Sequence, residues 1–374
     1  MKNKSKRKTN AGKITKRILL CVFTALILLC AFILGGVAVI NYGPSKTARD
    51  LFVVSMLETS AAKFLATWYF SGDEINSIVN ENAVIPDDGL SDPSLININP
   101  GRTPETKQAD YYFPFDEKGQ PVVTEEHPPE DTNGAETDAP EDPPVINPDR
   151  EPLEIVEVRG SSYAGFLMKV ADPSRLFVGV CGNYGDESSG KTIMQIAKSY
   201  KATAAINAGG FEDKNGTGNG GIPLGLVISQ GSLLYGNPST KYDIIGFNKN
   251  NILIVGNMTA QAALDAGIRD AVSFGPVLVM NGKASSVKGA GSGVNPRTAI
   301  GQCADGTVLL LVIDGRQASS LGATYADLIE IMLKHGAVNA ANLDGGTSSG
   351  MYYDGKLVNK GLFFRGLPTC FIVK

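Results

Sequence analysis

Histidine is almost absent from this chain of 374 residues, which contains only His127 and His335. A zinc protease of the His-Glu-x-x-His type needs two histidines four residues apart, and a Ser-His-Asp triad needs one beside its nucleophile. The first class is therefore excluded, and a histidine-based triad is disfavoured. Carboxylates become the expected proton carriers of any catalytic site.

Cysteine is also scarce and never occurs in Cys-x-x-Cys spacing. Cys21 and Cys30 lie in an apolar run, and Cys181, Cys303 and Cys370 are scattered through the C-terminal part. This pattern predicts neither a zinc cluster nor a disulfide framework, and leaves room for a single bridge.

The C-terminal part lacks an excess of positive charge. Residues 1–85 carry 11 Lys/Arg and 5 Asp/Glu, residues 86–150 carry 4 and 16, and residues 151–374 carry 19 and 17. Proteins that grip nucleic acids present a basic field to the phosphate backbone. We therefore expect no nucleic-acid partner.

The N-terminus combines a basic segment with a long apolar run. Residues 1–17 contain eight Lys/Arg and no acid, and residues 18–40 contain no charge. Such a run can span a bilayer, and the basic flank predicts a cytoplasmic N-terminus with the remainder of the chain outside the cell membrane. A cleaved signal peptide is the alternative, but its apolar region is usually shorter, about 7–15 residues.

Two further segments precede the glycine-rich part of the chain. Apolar residues recur at helical spacing from Val53 to Trp68, which predicts an amphipathic stalk helix. Residues 86–150 hold 12 of the 20 prolines, a composition typical of a disordered spacer. The predicted organisation is a cytoplasmic tail (1–17), a transmembrane signal-anchor helix (18–40), amphipathic stalk helices (41–85), a disordered acidic proline-rich linker (86–150) and a folded domain (153–374).

The folded domain reads as α+β, with a mixed, strand-rich sheet and flanking helices. Two helices are predicted at 191–200 and 325–334, the second opened by Thr324 and closed by Gly336. Asp-Gly pairs at 305–306 and 354–355 predict hairpin turns. Strands are predicted at 177–181, 203–207, 224–229, 252–255, 277–281, 298–303, 307–313 and 351–353.

Four glycine-bordered polar clusters follow or begin predicted strands, where loops can carry a site on a rigid sheet. Glycines permit close backbone approach, arginine suits phosphate or carboxylate, and aspartate suits acid–base work. The candidate catalytic residues are Asp314, Asp344, Arg297 and Arg316. The candidate substrate-binding residues are Asn207, Gly209, Gly210, Thr298, Asn342, Gly345, Gly346, Thr347, Ser348 and Ser349.

The order of these clusters resembles the phosphodiester glycosidase family. The resemblance rests on Asn-Ala-Gly-Gly-Phe from residue 207, Pro-Arg-Thr-Ala-Ile-Gly from 296, Asp-Gly-Arg from 314, Gly-Ala-Val-Asn from 336 and Asn-Leu-Asp-Gly-Gly-Thr-Ser-Ser from 342. It covers about residues 153–374. It implies hydrolysis of a sugar-1-phosphodiester at the anomeric carbon, in cell-envelope or exopolysaccharide metabolism of a bacterium, with a glycan phosphodiester as substrate.

The resemblance gives the candidate residues their expected roles. Asp314 and Asp344 would stabilise an oxocarbenium-like transition state, and Arg297 and Arg316 would receive the departing phosphate. The sequence identifies no definite cofactor and leaves open a divalent cation, calcium or magnesium, that bridges Asp344 and the phosphate. Two alternatives stay open: a non-catalytic module that binds anionic envelope glycopolymers, and a glycosyl transferase that uses the same site. Protein partners, and any metal ligands, are unknown from the sequence.

Overall fold

The computed structural model describes residues 3–59, 62–98, 153–213, 217–361 and 365–374. Most of the predicted linker, residues 99–150, lies outside these ranges. Within them the chain is rich in strands and carries seven α-helices. The helices are α1 (Asn3–Tyr42), α2 (Lys46–Leu57), α3 (Phe64–Thr67), α4 (Gly72–Glu81), α5 (Ile193–Ser199), α6 (Ala260–Asp265) and α7 (Tyr325–Lys334).

Helix ends follow the capping residues of the sequence. Thr324 and Asp327 form a reciprocal capping box at the start of α7, and Gly336 lies just beyond its end with φ +85°. The bounds predicted for this helix are confirmed. α5 is shorter than predicted, because its capping box uses Thr192 and Gln195 and so places the first helical residue at 193.

The described ranges contain 19 strands, and each of the eight predicted strands overlaps one of them. The strands are β1 (Val84–Ile85), β2 (Glu154–Arg159), β3 (Ala164–Val170), β4 (Leu176–Val180), β5 (Ala204–Asn207), β6 (Val227–Ser229), β7 (Ser232–Tyr235), β8 (Lys241–Asn248), β9 (Leu253–Thr259), β10 (Ile268–Ser273), β11 (Val277–Met280), β12 (Lys283–Ala284), β13 (Ser286–Val287), β14 (Arg297–Cys303), β15 (Val308–Ile313), β16 (Ala337–Leu343), β17 (Met351–Tyr353), β18 (Lys356–Leu357) and β19 (Thr369–Val373).

These strands form three larger sheets and the pair β1–β13. The sheet orders are β7-β6-β10-β8-β9, β12-β11-β16-β14-β15-β3-β2 and β18-β17-β5-β19-β4. Both hairpins predicted from Asp-Gly turns are present, as β14–β15 and β17–β18. The predicted α+β class is confirmed.

The predicted mixed sheet is corrected, because every described strand pairing is antiparallel. The two helix-to-strand units of the sequence, β4-α5-β5 and β15-α7-β16, suggest parallel neighbours. In the structure a third strand separates each pair: β19 lies between β4 and β5, and β14 lies between β15 and β16. Each intervening strand runs antiparallel to both of its neighbours.

The core lies between the sheets, and β15 shows how it is built. All six residues of this strand are buried. Val308, Leu310 and Val312 join the cluster shared by the three larger sheets, whereas the alternate residues Leu309 and Leu311 pack with α7. A strand buried on both faces reads as a continuous apolar run, which is why the sequence predicts it well.

The N-terminal helix is long enough to cross a membrane. Its segment Lys13–Tyr42 has a mean hydropathy of 3.0 over the most apolar window and no buried side chains in that window. A membrane anchor and a signal sequence both fit this description. The helix ends at Tyr42, two residues before Pro44, as the sequence predicts.

Within the segment predicted as amphipathic stalk helices, 41–85, the structure has three helices, α2, α3 and α4. Val53, Ala66 and Ile78 come together in one small buried cluster. The predicted linker also starts later than residue 86. Ser91 exchanges hydrogen bonds with Val255 of β9, so the chain is packed on the domain up to residue 98.

Candidate active site

A cleft of about 490 Å³ opens at the ends of the central strands of the seven-stranded sheet. It is lined by Glu58, Thr59, Phe211, Asp213, Phe274, Asn295, Arg297, Arg316, Tyr325, Asn342, Asp344, Gly345, Gly346, Thr347, Ser348 and Arg365. A volume of this size is typical of small-molecule sites.

Three neighbouring strands bring the central residues together. β14 begins with Arg297, whereas Asp314 follows β15 and Asp344 follows β16. Because β14 is antiparallel to both neighbours, its first residues lie beside the ends of the other two. Arg297 pairs with Ile313, and the following residue pairs with Leu343.

Asp344, directly after the end of β16, lines the cleft. It accepts hydrogen bonds from the backbone N–H of Gly345, at 3.0 Å, and from the Ser348 hydroxyl. Burial nevertheless raises the pKa of Asp344 to about 6, against the opposing effects of these donors and of Arg365. Near neutral pH this group can therefore exist in both protonation states, which suits acid–base chemistry.

Arg297 is buried with its guanidinium fixed from several sides. Nη2 donates to Glu58 Oε2 at 2.6 Å and to the Gly293 carbonyl at 2.7 Å, and Nε donates to the Ala323 carbonyl. The guanidinium carbon lies 4.2 Å from the centre of the Tyr325 ring. The Tyr325 side chain also forms a hydrogen bond with the Arg297 side chain.

Arg316 is the second cation of the cleft. Its backbone has φ +58°, and Nη2 donates to Thr59 Oγ1 at 2.9 Å and to Asn295 Oδ1 at 3.0 Å. Burial, followed by the charge of Arg297, lowers the pKa of Arg316. An anion beside both guanidinium groups would offset their burial and their mutual repulsion.

Several residues predicted to bind substrate instead hold the loop of Asp344. Asn207 Nδ2 donates to the Asp344 carbonyl at 2.6 Å, and its Oδ1 accepts from Thr298 Oγ1 at 2.8 Å and from the Gly350 N–H at 3.0 Å. Asn207 and Thr298 are fully buried. The structure thus gives both residues a positioning role.

The turn at Gly209 and Gly210 also packs against the protein itself. The Gly209 N–H donates to Thr369 Oγ1 at 3.0 Å, and a Cβ on Gly210 would lie 2.7 Å from the Phe274 ring. Both glycines, predicted from the sequence to bind substrate, therefore pack against the protein in this structure. The next residue, Phe211, lines the cleft.

The fourth cluster lines the cleft largely as predicted. Gly345, Gly346, Thr347 and Ser348 all border it, together with Asn342. The Gly346 N–H donates to the Pro296 carbonyl, and this glycine has φ +63°, a conformation that other residues adopt only under strain. Ser349 borders the neighbouring recess.

Asn342 carries an unused acceptor into the cleft. Its Nδ2 donates to the Gly275 carbonyl at 2.8 Å, whereas its buried Oδ1 has no hydrogen-bond partner among the described residues. A buried acceptor without a partner is costly unless a ligand or water supplies a donor. This oxygen suits a sugar hydroxyl.

Asp314 lies in an adjoining recess rather than in the cleft. That recess shares Arg316, Gly346 and Thr347 with the cleft. Asp314 Oδ1 accepts from Asn359 Nδ2 at 3.0 Å and from the Lys360 N–H at 3.2 Å. The structure therefore brings Asp344, Arg297 and Arg316 together and sets Asp314 behind them.

Five charged or hydroxyl residues of the cleft were not predicted from the sequence: Glu58, Thr59, Asp213, Tyr325 and Arg365. Arg365 Nη1 and Nη2 lie 2.7 and 3.0 Å from the two carboxylate oxygens of Asp213. Their partners lie far away along the chain, so no local spacing predicts them.

The described carboxylates do not fit a calcium or magnesium site. Within these ranges no group of three or more His, Cys, Asp or Glu side chains could hold a metal. Asp213 is paired with Arg365 and Glu58 with Arg297, which leaves Asp344 as a single ligand. Both ions prefer several oxygen ligands.

Most of the residues that line this cleft lie in a part of the chain that is similar to a known family. Residues 200–374 match the model of the phosphodiester glycosidase family. Over these residues the C-terminal domain is similar to the phosphodiester glycosidase family. The family resemblance inferred from the sequence is thereby confirmed. The match includes Arg297, Arg316 and Asp344, whereas Glu58 and Thr59 lie outside it.

Two curated relatives and one solved structure show how far the phosphodiester glycosidase similarity extends. The SPbeta prophage-derived uncharacterized protein YomE of Bacillus subtilis is 31% identical over 208 residues, which is 53% of this chain and 30% of that protein. The bovine (Bos taurus) N-acetylglucosamine-1-phosphodiester alpha-N-acetylglucosaminidase is 26% identical over 216 residues, covering 52% and 40%. The alignments thus span less than half of either relative. The zebrafish catalytic domain of that enzyme, auto-inhibited by its pro-peptide, matches with a TM-score of 0.48 and 21% identity over 59% of this chain and 82% of its own.

Proposed function

We propose that this protein is a membrane-anchored hydrolase that cleaves the bond between a sugar and phosphate in a sugar-1-phosphodiester. One observation carries the proposal: Asp344 shares a single cleft with Arg297 and Arg316 in a domain that is similar to the phosphodiester glycosidase family. The cleft thus combines a carboxylate for the reacting carbon with two cations for the phosphate.

The proposed reaction breaks the bond between the anomeric carbon and the phosphate oxygen. The electron pair of that bond leaves with the oxygen, so the products are a phosphate monoester and a free sugar. Water supplies the new hydroxyl on the anomeric carbon and loses one proton. Positive charge grows on the sugar ring in the transition state, and the nearby carboxylate stabilises it.

Asp344 acts in its ionised form in this scheme. It either attacks the anomeric carbon, in which case the sugar retains its configuration, or takes a proton from the attacking water, in which case the configuration inverts. The phosphate is a good leaving group even without a proton, so a second acidic group is not required. The anomeric configuration of the first-formed sugar distinguishes the two routes.

Arg297 and Arg316 receive the phosphate. Arg297 contributes a guanidinium that also pairs with Glu58, and Arg316 contributes a charge that the neutral oxygens of Thr59 and Asn295 compensate only in part. Charge accumulates on the phosphate as the bond breaks, so prepositioned cations lower the barrier. Asn342 Oδ1 accepts a hydroxyl of the sugar.

Asp314, Asn207 and Thr298 support the site rather than contact the reacting atoms. Asn207 and Thr298 fix the backbone of Asp344. Asp314 holds Asn359, whose Nδ2 also donates to the Ser349 carbonyl in the loop after β16. These three residues therefore set the position of the loop that carries the catalytic carboxylate.

In this proposal the N-terminal helix anchors the enzyme in a membrane. Residues 18–40 serve as a single-pass anchor, with the basic N-terminus in the cytoplasm and the catalytic domain outside the cell. Such a location favours substrates of cell-envelope or exopolysaccharide metabolism.

Release of free sugar from defined substrates tests the proposed function. The purified chain is incubated with methyl phosphodiesters of N-acetylglucosamine-, glucose- and galactose-1-phosphate, and free sugar is measured. We expect release from at least one substrate and a loss of about 10²–10⁴-fold in the Asp344→Asn variant. Asp354→Asn, in an exposed turn, is the matched control and should retain full activity.

Two outcomes of this assay would replace the proposal. A protein that binds the esters tightly but releases no sugar, with or without Asp344, is a binding module. A protein that releases sugar only onto an added acceptor glycan is a transferase. Hydrolysis in buffer alone contradicts both.

The effect of metal removal on turnover is a separate test. Because the described carboxylates pair with arginines and leave Asp344 alone, we expect turnover to survive dialysis against EDTA with less than a twofold change. Loss of activity that added calcium or magnesium restores would show that a divalent cation takes part.

A further inference from the structure

The stalk supplies one wall of the cleft. Glu58 and Thr59, which follow the end of α2, contact Arg297 and Arg316 at 2.6 and 2.9 Å. Ser55 Oγ accepts from the Val294 N–H at 2.8 Å. The active site is therefore assembled from the family domain and from the segment that follows the apolar helix.

This wall is held firmly against the domain. A Cβ on Gly293 would lie 2.4 Å from the backbone of Ser55, so the α2 backbone packs closely on the loop before β14. Further along the stalk, β1 pairs with β13. The stalk thus docks at two places and is not a free spacer.

The same stalk is fastened to the end of the apolar helix. Three residues separate α1 from α2. The Tyr69 hydroxyl donates to the Leu34 carbonyl at 3.3 Å, and the Tyr42 ring lies 6.0 Å from the Tyr69 ring and 6.2 Å from the Phe70 ring. The cleft is consequently held at a fixed distance from the membrane end of α1.

That distance is short. α2 has 12 residues, which at 1.5 Å per residue give a length of about 18 Å. Thr59 is five residues before Phe64, and even a fully extended chain would separate these two by no more than about 18 Å. The wall of the cleft therefore stays within the reach of a lipid head group and its first sugar.

Exposed aromatic side chains mark the surface that faces the bilayer. Trp68 and Tyr42 are 70% and 69% exposed, and the Phe64 ring lies 4.8 Å from the Trp68 ring. Tryptophan and tyrosine concentrate where a membrane meets water, since they are apolar with a polar tip. Their continuity with the end of α1 identifies a lipid bilayer as the partner of this face.

From this arrangement we infer that the substrate is lipid-linked: a sugar-1-phosphodiester whose second ester carries a hydrocarbon chain embedded in the bilayer. The inference rests on the proposed function and specifies its substrate class. Hydrolysis would release free sugar into the aqueous phase and leave a lipid phosphate monoester in the membrane. Exposed Leu321, whose carbonyl accepts from the Arg316 N–H, offers an apolar contact beside the phosphate site.

The test uses the full chain reconstituted in phosphatidylcholine–phosphatidylglycerol vesicles. Two probes share one sugar-1-phosphate, the one that gives the fastest release as its methyl ester, and differ in the second ester: methyl or a 55-carbon polyprenyl group. We expect kcat/KM for the polyprenyl ester to exceed that for the methyl ester by at least about tenfold, because both partners are confined to one surface.

A spacing variant separates this inference from simple co-localisation. Inserting 20 Gly/Ser residues between Tyr42 and Gly43, together with Tyr69→Ala, frees the domain to move about 25 Å from the helix end. We expect the polyprenyl preference to fall at least about fivefold while methyl-ester turnover, which also reports correct folding, stays unchanged. Phe64→Ser with Trp68→Ser should act in the same direction.

Each remaining outcome has a distinct meaning. Equal rates for the two esters would overturn the lipid-linked substrate and leave the hydrolase intact. A preference that survives the insertion would overturn the role given to the docked stalk, because confinement to the vesicle surface alone would then explain the preference. Failure to release sugar from either ester would overturn the proposed function itself, and the inference with it.

Discussion

At the scale of single residues, the site depends on how burial changes the behaviour of charged groups. Asp344 and Arg316 are both buried where their charged forms lose solvation. Burial raises the pKa of Asp344 and lowers the pKa of Arg316, so it favours the neutral form of each. In the proposed mechanism a substrate offsets this cost: its phosphate compensates the arginines, and its positively charged sugar ring compensates the aspartate in the transition state.

The pH profile of turnover follows from the raised pKa of Asp344, which is about 6. Asp344 must be ionised in the proposed reaction, so kcat/KM should be constant above pH 7 and fall about tenfold per pH unit well below 6. A phosphodiester does not titrate in this range, so the inflection reports the enzyme. Rates measured from pH 4 to 9 check this, and a decline toward alkaline pH near 6 would show that the protonated form is required.

Replacing Arg316 tests the phosphate site. We expect Arg316→Ala to lower kcat/KM by about 10²–10³-fold, since it removes a buried cation that faces the departing phosphate. Arg159→Ala is the matched control, because Arg159 is exposed and pairs only with Glu157 among the described residues. Steady-state kinetics of both variants provide the comparison. Unchanged kinetics in Arg316→Ala would remove this residue from the mechanism.

At the scale of helices and strands, the sequence predicts what depends on local patterns. The buried strand β15, the capped helix α7 and the Asp-Gly hairpins all follow from residues within a short window. Short exposed strands such as β7 and β12 lack an apolar run and were missed. The antiparallel arrangement was missed as well, because β19 separates β4 from β5 and comes from the far end of the chain.

The doubly buried strand β15 carries a stability prediction. Leu310 is fully buried in the core between the sheets, so Leu310→Ala should lower the free energy of unfolding by about 2–5 kcal/mol. Leu333 of α7 is 38% exposed, so Leu333→Ala should lower the free energy of unfolding by less than about 1 kcal/mol. Urea unfolding of both variants measures the difference. Similar losses would show that β15 does not lie in the core.

The same contrast between local and distant information applies to the site. Asp344, Arg297 and the glycine-rich loop stand out by their own sequence. Asn207 was recognised as part of the site, but its role in holding the Asp344 backbone depends on a contact across 137 residues. Glu58 reaches Arg297 across 239 residues, and no motif announces it. Such contacts exist only once the sheets have formed.

At the scale of the whole molecule, the described parts join an apolar helix, a stalk and a catalytic domain through specific contacts. The stalk belongs to the cleft wall and to the base of α1 at once. If the proposed function is correct, substrate choice and location are thereby coupled, because the segment that tethers the domain also forms one wall of the cleft. The acidic, proline-rich residues 99–152 lie outside the described ranges, so their predicted role as a spacer stays a prediction.

The proposed orientation can be tested with protease on intact cells. A single-pass anchor with a cytoplasmic N-terminus exposes the acidic proline-rich segment outside the cell, where its composition predicts ready cleavage. We expect a denaturing gel to show a C-terminal fragment beginning near residue 150. Complete protection in intact cells, with cleavage after lysis, would contradict the orientation.

The central claim is that this cleft breaks the bond between the anomeric carbon and the phosphate oxygen. Hydrolysis in water enriched in oxygen-18, followed by mass spectrometry of both products, tests it most directly. We predict that the label enters the free sugar and is absent from the phosphate monoester. Label in the phosphate would show cleavage of the phosphorus–oxygen bond and would contradict the account.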